Sequence, residues 1–303
     1  MKRPDGAGTG ASRLSDCAAS AIMSSCAREP VAAGLKVAHE ILRALAPSSL
    51  VLDLGAARGS FPSEATPACV ICVDLESPPE HPDRFVHADA ARLPFRDRAF
   101  AAVIANHSLE HIGQLPDAVA EVRRLLQPDG AIFISVPDAS TLSDRIYRWL
   151  GKCGGHVNAF TAEAAVIDLV ESVTGQKCRA SRVLNSSLSF LNRRVAPRPL
   201  PRKIYLLGGG FEWTLFLYSW LSRRIDRWLG TRTAVYGWAF YFGNVEPSDI
   251  DRTVWNNVCI RCGAATRSGE LRPRPWFTEA FPIVLVYNCP HCGALNRVAE
   301  DTD

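Results

Sequence analysis

The chain has 303 residues, of which 47% are apolar and 21% charged, and its formal net charge is +3. This is the composition of a soluble globular protein long enough for one large domain plus a small one. The small positive excess argues for neither nucleic acid nor an anionic membrane as partner, and the opening MKRPDGAGTGASRLSD lacks the apolar segment of a secretory signal.

Residues 1–30 read as a flexible lead-in. From Val31 to Leu45, the residues Leu35, Ala38, Ile41, Leu42 and Leu45 recur at helical spacing, predicting an amphipathic helix. SLVLDLG then reads as a buried strand. CVICVDLE (Cys69 to Glu76), part of RFVHADA (Arg84 to Ala90), AFAAVIANH (Ala99 to His107) and GAIFISVP (Gly130 to Pro137) follow as four more. Runs apolar on both faces belong in a parallel sheet covered by helices on both sides. Between the fourth and fifth strands, Val119, Val122, Leu125 and Leu126 form a helical stripe, with Pro116 in its first turn and Pro128 and Gly130 as its stop. Only about two turns of helix are expected behind the first strand, after Gly59. The alternation predicts an α/β fold with an open, doubly wound, mostly parallel sheet, its ligands at the C-terminal strand edge.

Beyond Pro137 the pattern loosens. STLSDRIYRWLG and TAEAAVIDLVESVTG are helix candidates, the second capped by Thr161. TAVYGWAFYFGN (Thr233 to Asn244) reads as a late strand. Between them lies an apolar insertion, residues 197–230. Its run from Ile204 to Leu221 approaches membrane-spanning length, but Glu212 and consecutive glycines argue against a span. Phe211, Leu215, Tyr218 and Ile225 share one helical face, and Arg223, Arg224 and Arg227 accompany it. Residues 204–229 therefore suit either a lid over a substrate pocket or a helix lying in a membrane interface.

The stretch VLDLGAARGSFP, Val51 to Pro62, is a strand running into a small-residue loop. A P-loop would need a lysine after its last glycine, and a dinucleotide fingerprint would need GxGxxG; the loop offers neither. Asp53 at the strand's end would repel a pyrophosphate. A phosphate-free cofactor carrying an amine fits better.

In these residues the chain resembles the class I S-adenosylmethionine-dependent methyltransferases, whose first strand ends in an acidic residue followed by a turn shaped D-x-G-x-G-x-G. Asp53, Gly55 and Gly59 match, and Ala57 replaces the middle glycine, which the turn tolerates if φ stays below zero. The resemblance continues through VDLE, ADAARLPF, AFAAVIANHSLEHI and AEVRRLLQPDGAIFISVP, across roughly residues 35 to 140. It implies a Rossmann-like fold and S-adenosyl-L-methionine as cofactor. Asp53 would lie near its amine, Asp74 with Leu75 at the ribose, Asp89 and Ala90 at the adenine, with Gly55, Ala57, Gly59 and Asn106 completing the contacts. His107, His111 and His156 are the candidate catalytic residues on the acceptor side, since a hydroxyl acceptor must lose its proton and histidine is the natural base near neutrality.

Near the C-terminus, CIRCG (Cys259 to Gly263) and CPHCG (Cys289 to Gly293) form a doubled C-x-x-C array. Cys259, Cys262, Cys289 and Cys292 would hold a structural Zn2+ as a ribbon, with His291 exposed between two ligands. Thiols arranged this way belong in a reducing compartment, so the expected location is the cytoplasm, with peripheral membrane contact as an alternative. The predicted organisation is a methyltransferase domain over residues 31–250 and a zinc-ribbon module over 251–303. The function expected is methyl transfer to a small-molecule, lipid or glycan acceptor. Two alternatives are a ribbon-assisted RNA methyltransferase, disfavoured by the low net charge, and a non-catalytic cofactor-binding interaction protein.

Overall fold

The runs of Val, Ile, Leu and Phe pair side by side as one sheet in a computed structural model. Its described residues are 40–42, 45–57, 59–61, 66–77, 83–151, 155–194, 202–250, 256–276 and 284–299. Strands β1 (Leu50–Leu54), β2 (Cys69–Asp74), β3 (Phe85–His87), β4 (Phe100–Asn106), β5 (Leu126–Pro137), β6 (Cys178–Asn185) and β7 (Val235–Gly243) form a seven-stranded sheet ordered β3-β2-β1-β4-β5-β7-β6. β1 to β5 pair in parallel, and β7 runs antiparallel between β5 and β6. The lead-in, residues 1–30, lies outside the described residues. Of the helix expected over Val31 to Leu45, Glu40–Leu42 makes one 3-10 turn and Leu45 sits in a bend.

Alternate strand residues enter different cores. Leu52, Val103, Ile132 and Phe240 pack with Val122 and Val166 on one face, while Val51, Ile104, Phe133 and Tyr241 pack with Ile41 and Leu42 on the other. Helices α1 (Leu115–Leu125) and α3 (Glu163–Thr174) supply the first of these faces. Burial on both sides is what a doubly wound sheet requires.

Local details differ from expectation, and the short helix expected after Gly59 falls largely outside the described residues. α1 ends at Leu125, before Pro128 and Gly130, because Leu126 already pairs with Phe100 as the first residue of β5. Ser60 and Phe61 form bends after Gly59, and residues 62–65 lie outside the described residues. Thr161 caps nothing: the chain stays extended one residue longer, and Ala162 is the N-cap of α3 without a side-chain bond. β6 was not among the expected strands, because an edge strand alternates inward and outward, and CRASRVLN carries too few apolar residues to stand out.

The insertion forms a 3-10 segment, Arg202–Gly210, and helix α4 (Glu212–Leu229). Gly208, Gly209 and Gly210 all have positive φ and turn the chain between the two. A Cβ at Gly210 would sit 2.1 Å from the Leu191 carbonyl oxygen, so only glycine fits there. The buried side of α4 carries Leu215 with Phe216 and Tyr218 beside it, and Phe211, expected on that side, is exposed. Among the described residues, no helix is long and apolar enough to cross a membrane. After β7, strands β8 (Arg274–Trp276), β9 (Val284–Asn288) and β10 (Leu295–Arg297) form a small antiparallel sheet ordered β10-β9-β8. Between β5 and β6 the chain also forms helix α2 (Leu142–Gly151).

Candidate active site and thiolate cluster

The loop after β1 lies where strand order reverses between β1 and β4, the crevice in which open α/β sheets bind ligands. Asp53 lies beneath this loop, 1% exposed, and both its oxygens are engaged: the Ser60 N–H donates to Oδ2 at 2.8 Å and the Ser60 hydroxyl to Oδ1 at 2.6 Å. Burial pushes its pKa up to about 6, against the lowering effect of those bonds. Asp53 thus ties the two ends of the loop together from beneath it. Gly55 has a φ of 69°, and a Cβ there would meet the Ser108 Cβ at 2.4 Å. Its lack of a side chain lets the loop close onto the end of β4.

Ala57 departs from expectation. Its φ is +47°, in the left-handed region, at a cost of about 1–2 kcal/mol for a residue with a Cβ. The conformation is held by Asp74, at the tip of β2, whose Oδ2 accepts the Ala57 N–H at 2.8 Å, while Oδ1 accepts the Glu76 N–H at 3.0 Å. Each oxygen retains a second lone pair. Next to it, Leu75 is 64% exposed, an apolar side chain standing free at a strand tip. Asp89 closes a turn by accepting the Ala91 N–H at 2.9 Å, with Ala90 inside that turn. Asn106, at the end of β4, accepts the Ser135 hydroxyl at 2.7 Å and links β4 to β5.

The three histidines gather at the same edge. His107 also has positive φ, and its N–H donates to the Ser135 carbonyl at 3.0 Å. Its Nδ1 is enclosed 3.8 Å from Glu110 Oε1, and burial lowers its pKa to about 4, so the ring is neutral at pH 7. The rings of His111 and His156 meet edge to face with centroids 4.8 Å apart, and Tyr147 of α2 stacks on His156. The loop carrying His156 is fixed by the Glu110 carbonyl, which accepts the N–H groups of Val157 and Asn158. Two acids complete the cluster, Glu110 and Asp144, each with a side chain only 1% exposed. Neither was singled out from the sequence.

Residues 31–165 match the family model described as Methyltransferase domain. Residues 31–165 are thus similar to a methyltransferase domain. The chain is 27% identical over 173 residues to malonyl-[acyl-carrier protein] O-methyltransferase of Marinomonas sp. (strain MWYL1), covering 51% of this chain and 64% of that one. To the protein of that name in Halorhodospira halophila it is 29% identical over 132 residues, covering 38% and 45%. It spans less than two thirds of the length of these relatives. Among solved structures it is similar to the 1,6-didemethyltoxoflavin-N1-methyltransferase of Burkholderia thailandensis, at 17% identity and a TM-score of 0.41, covering 80% of this chain and 94% of that one. A methyltransferase from Archaeoglobus fulgidus is similar at 15% identity and a TM-score of 0.43, covering 64% and 86%.

A second cluster is formed by Cys259, Cys262, Cys289 and Cys292, whose sulfurs all lie within 4.8 Å of one another. Cys259 and Cys292 Sγ are 3.5 Å apart, Cys262 and Cys289 Sγ 3.7 Å. Four thiolates bound at ~2.3 Å around a tetrahedral ion stand about 3.8 Å from one another, so the donor set fits zinc in spacing and in chemistry. The two halves are built alike. The N–H groups of Cys259 and Cys289 donate to the carbonyls of Ala264 and Ala294, and the N–H groups of Gly263 and Gly293, both at positive φ, donate back to those cysteines. The Arg261 N–H and the Asn296 amide point at Cys259 Sγ, at 3.4 and 3.5 Å, placing partial positive charge on that sulfur. His291 is exposed, as expected.

Proposed function

We propose that this chain transfers a methyl group from S-adenosyl-L-methionine to a small-molecule or lipid-linked acceptor. The observation that carries the reading is Asp74. Its carboxylate sits at the tip of β2 against the β1 loop, half-buried, with lone pairs left for the two hydroxyls of a ribose. In this reading exposed Leu75 covers a face of the adenine, and the turn from Asp89 to Ala91 presents backbone at its edge. Gly55, Ala57 and Gly59 keep the loop low, and Asp53 maintains its shape from beneath. Asn106 supports the floor of the crevice through Ser135.

When bound, S-adenosyl-L-methionine supplies an electrophilic methyl group on a sulfonium. The chain's own residues then have to hold an acceptor atom in line with it and take up any proton the acceptor loses. His107, His111 and His156 stand at the C-terminal end of β4, the edge where an acceptor would approach. The relatives named above act, by their names, on malonyl-[acyl-carrier protein], which favours an acceptor tethered to a carrier or lipid over a free polar metabolite. The exposed apolar side of α4, with Trp213, Leu217, Leu221 and Trp228, supports the same choice. It would meet an acyl chain or a membrane surface.

We further propose that residues 251–303 form a zinc ribbon whose task is to hold the insertion in place. Calorimetry with S-adenosyl-L-methionine tests the main reading: wild type binds, and Asp74→Ala weakens binding by at least tenfold. No heat from wild type would end it. Metal analysis tests the ribbon: zinc bound per chain is expected to fall by about one equivalent after Cys259→Ser with Cys262→Ser.

A further inference from the structure

Outside the thiolate cluster, one other group of side chains among the described residues is built like a ligand set. One donor atom each from Glu110, His111 and His156 lies within 4.8 Å of the others. Asp144 Oδ1 stands 3.6 Å from His156 Nδ1, and Glu110 Oε1 stands 3.8 Å from His107 Nδ1. These separations are too long for hydrogen bonds and too short for independent groups. Around them Glu110 Oε2, Asp144 Oδ1, His156 Nδ1 and His107 Nδ1 are all enclosed without a hydrogen-bond partner. Buried polar atoms in native proteins are nearly always paired, so the orphaned Glu110 Oε2 asks for a partner, while Asp144 Oδ1 faces His156 Nδ1 and leaves the other ring nitrogen of His156 for the set.

Charge narrows what that is. Asp144 already pairs through Oδ2 with Arg148 Nε at 2.5 Å. Beside Glu110 the described residues place histidines, Tyr236 and the second acid, and no ion pair with a lysine or arginine. An anionic site with lone pairs converging from nitrogen and oxygen calls for a cation. His111 is prepared for it: its Nδ1 stands 3.1 Å from the Gly155 carbonyl, so Nδ1–H donates there and Nε2 is left as a lone pair. Metal-ligating histidines are oriented by this kind of outer bond.

We propose that Glu110, His111 and His156 bind a divalent first-row transition-metal ion as a two-histidine, one-carboxylate set, with Asp144 orienting His156. Drawing the three donors in by well under an ångström brings each to ~2.1 Å from a common ion. Three protein ligands leave coordination positions open, and the set stands at the C-terminal end of β4. The ion would hold an oxygen of the acceptor there, a role that rests on the methyltransferase reading; the site itself does not.

The test uses the full chain with its thiolate cluster loaded with zinc, titrated with Co2+ and followed by calorimetry and visible absorption. Wild type is expected to bind about one Co2+ per chain with the weak bands of nitrogen and oxygen ligation and no thiolate charge-transfer band. His111→Ala removes an exposed ligand and Glu110→Gln keeps the shape of a buried one; each should weaken binding more than tenfold. No binding by wild type, a thiolate-type spectrum alone, or equal affinity in both variants would overturn the proposal. Cofactor calorimetry on the same samples keeps the two readings apart: absent S-adenosyl-L-methionine binding with intact Co2+ binding would remove the function and leave the site.

Discussion

Arg261 closes a two-pronged ion pair on Glu212, with Nε 2.5 Å from Oε1 and Nη2 2.8 Å from Oε2. Arg261 lies between the first two cysteines of the thiolate cluster, and its Nη1 also donates to the Cys292 carbonyl at 2.9 Å. Glu212 is the first residue of α4, and the Arg261 guanidinium holds its carboxyl below the usual carboxylate range. Around them, Asn192 donates to the Ile260 carbonyl and Ile260 packs with Leu188, Leu191, Ile204 and Leu215. The cysteine module therefore buttresses the insertion.

If so, Arg261→Ala should loosen α4 at a cost of about 1 kcal/mol, since the pair is bidentate but partly exposed. Hydrogen exchange across residues 212–229 is expected to rise in this variant and more steeply on chelation of the metal. Unchanged protection in both would separate the two modules.

Asp53 gives a pH dependence with a definite sign. Its pKa rises from 3.8 to about 6 on folding, so the folded state binds the proton more tightly than the unfolded state. This contribution to stability is fully present below pH ~4, is lost as pH rises through about 6, and is flat above that. Its total is on the order of 3 kcal/mol. Asp53→Asn should flatten the denaturation midpoint across this window while weakening the loop that Ser60 shares with it. A slope unchanged between the two proteins would show that Asp53 is not the group responsible.

Ala57→Gly should stabilise the protein by about 0.5–1 kcal/mol, because the left-handed strain released exceeds the added freedom of the unfolded chain. Thermal unfolding measures it. A lower Tm would mean that the Asp74 bond alone suffices and that the methyl group contributes packing.

Replacing Trp213 and Leu217 by serine tests the exposed face of α4. Each side chain is worth about 1.5–3 kcal/mol when fully buried, so co-sedimentation with liposomes should fall at least tenfold. Neither side chain belongs to the buried core, so Tm should hold. Equal sedimentation of wild type and variant would exclude the membrane as what this face meets.

Much of this was legible before any coordinates. Five parallel strands announced themselves because burial on both faces demands unbroken apolar runs, as in VLDL and FAAVIAN. The Asp53 loop was visible because small residues cluster where backbone must turn, and the four cysteines because zinc imposes a fixed spacing on its ligands. β6 escaped, being an edge strand whose polar outward residues dilute its pattern.

The sequence by itself determined which segments become strands, where the loop lies and that four thiols form a set, since these follow from neighbours a few residues apart. Only the tertiary structure decided that Asp53 faces inward to Ser60 while Asp74 supports Ala57. It alone brought Glu110 and His111 to His156 and Asp144, and Arg261 to Glu212. Those meetings depend on which strand tips and helix ends abut once the sheet has closed on its two cores. Residues 7 to 49 positions apart, on different strand tips, loops and helix ends, carry no local trace of such a meeting.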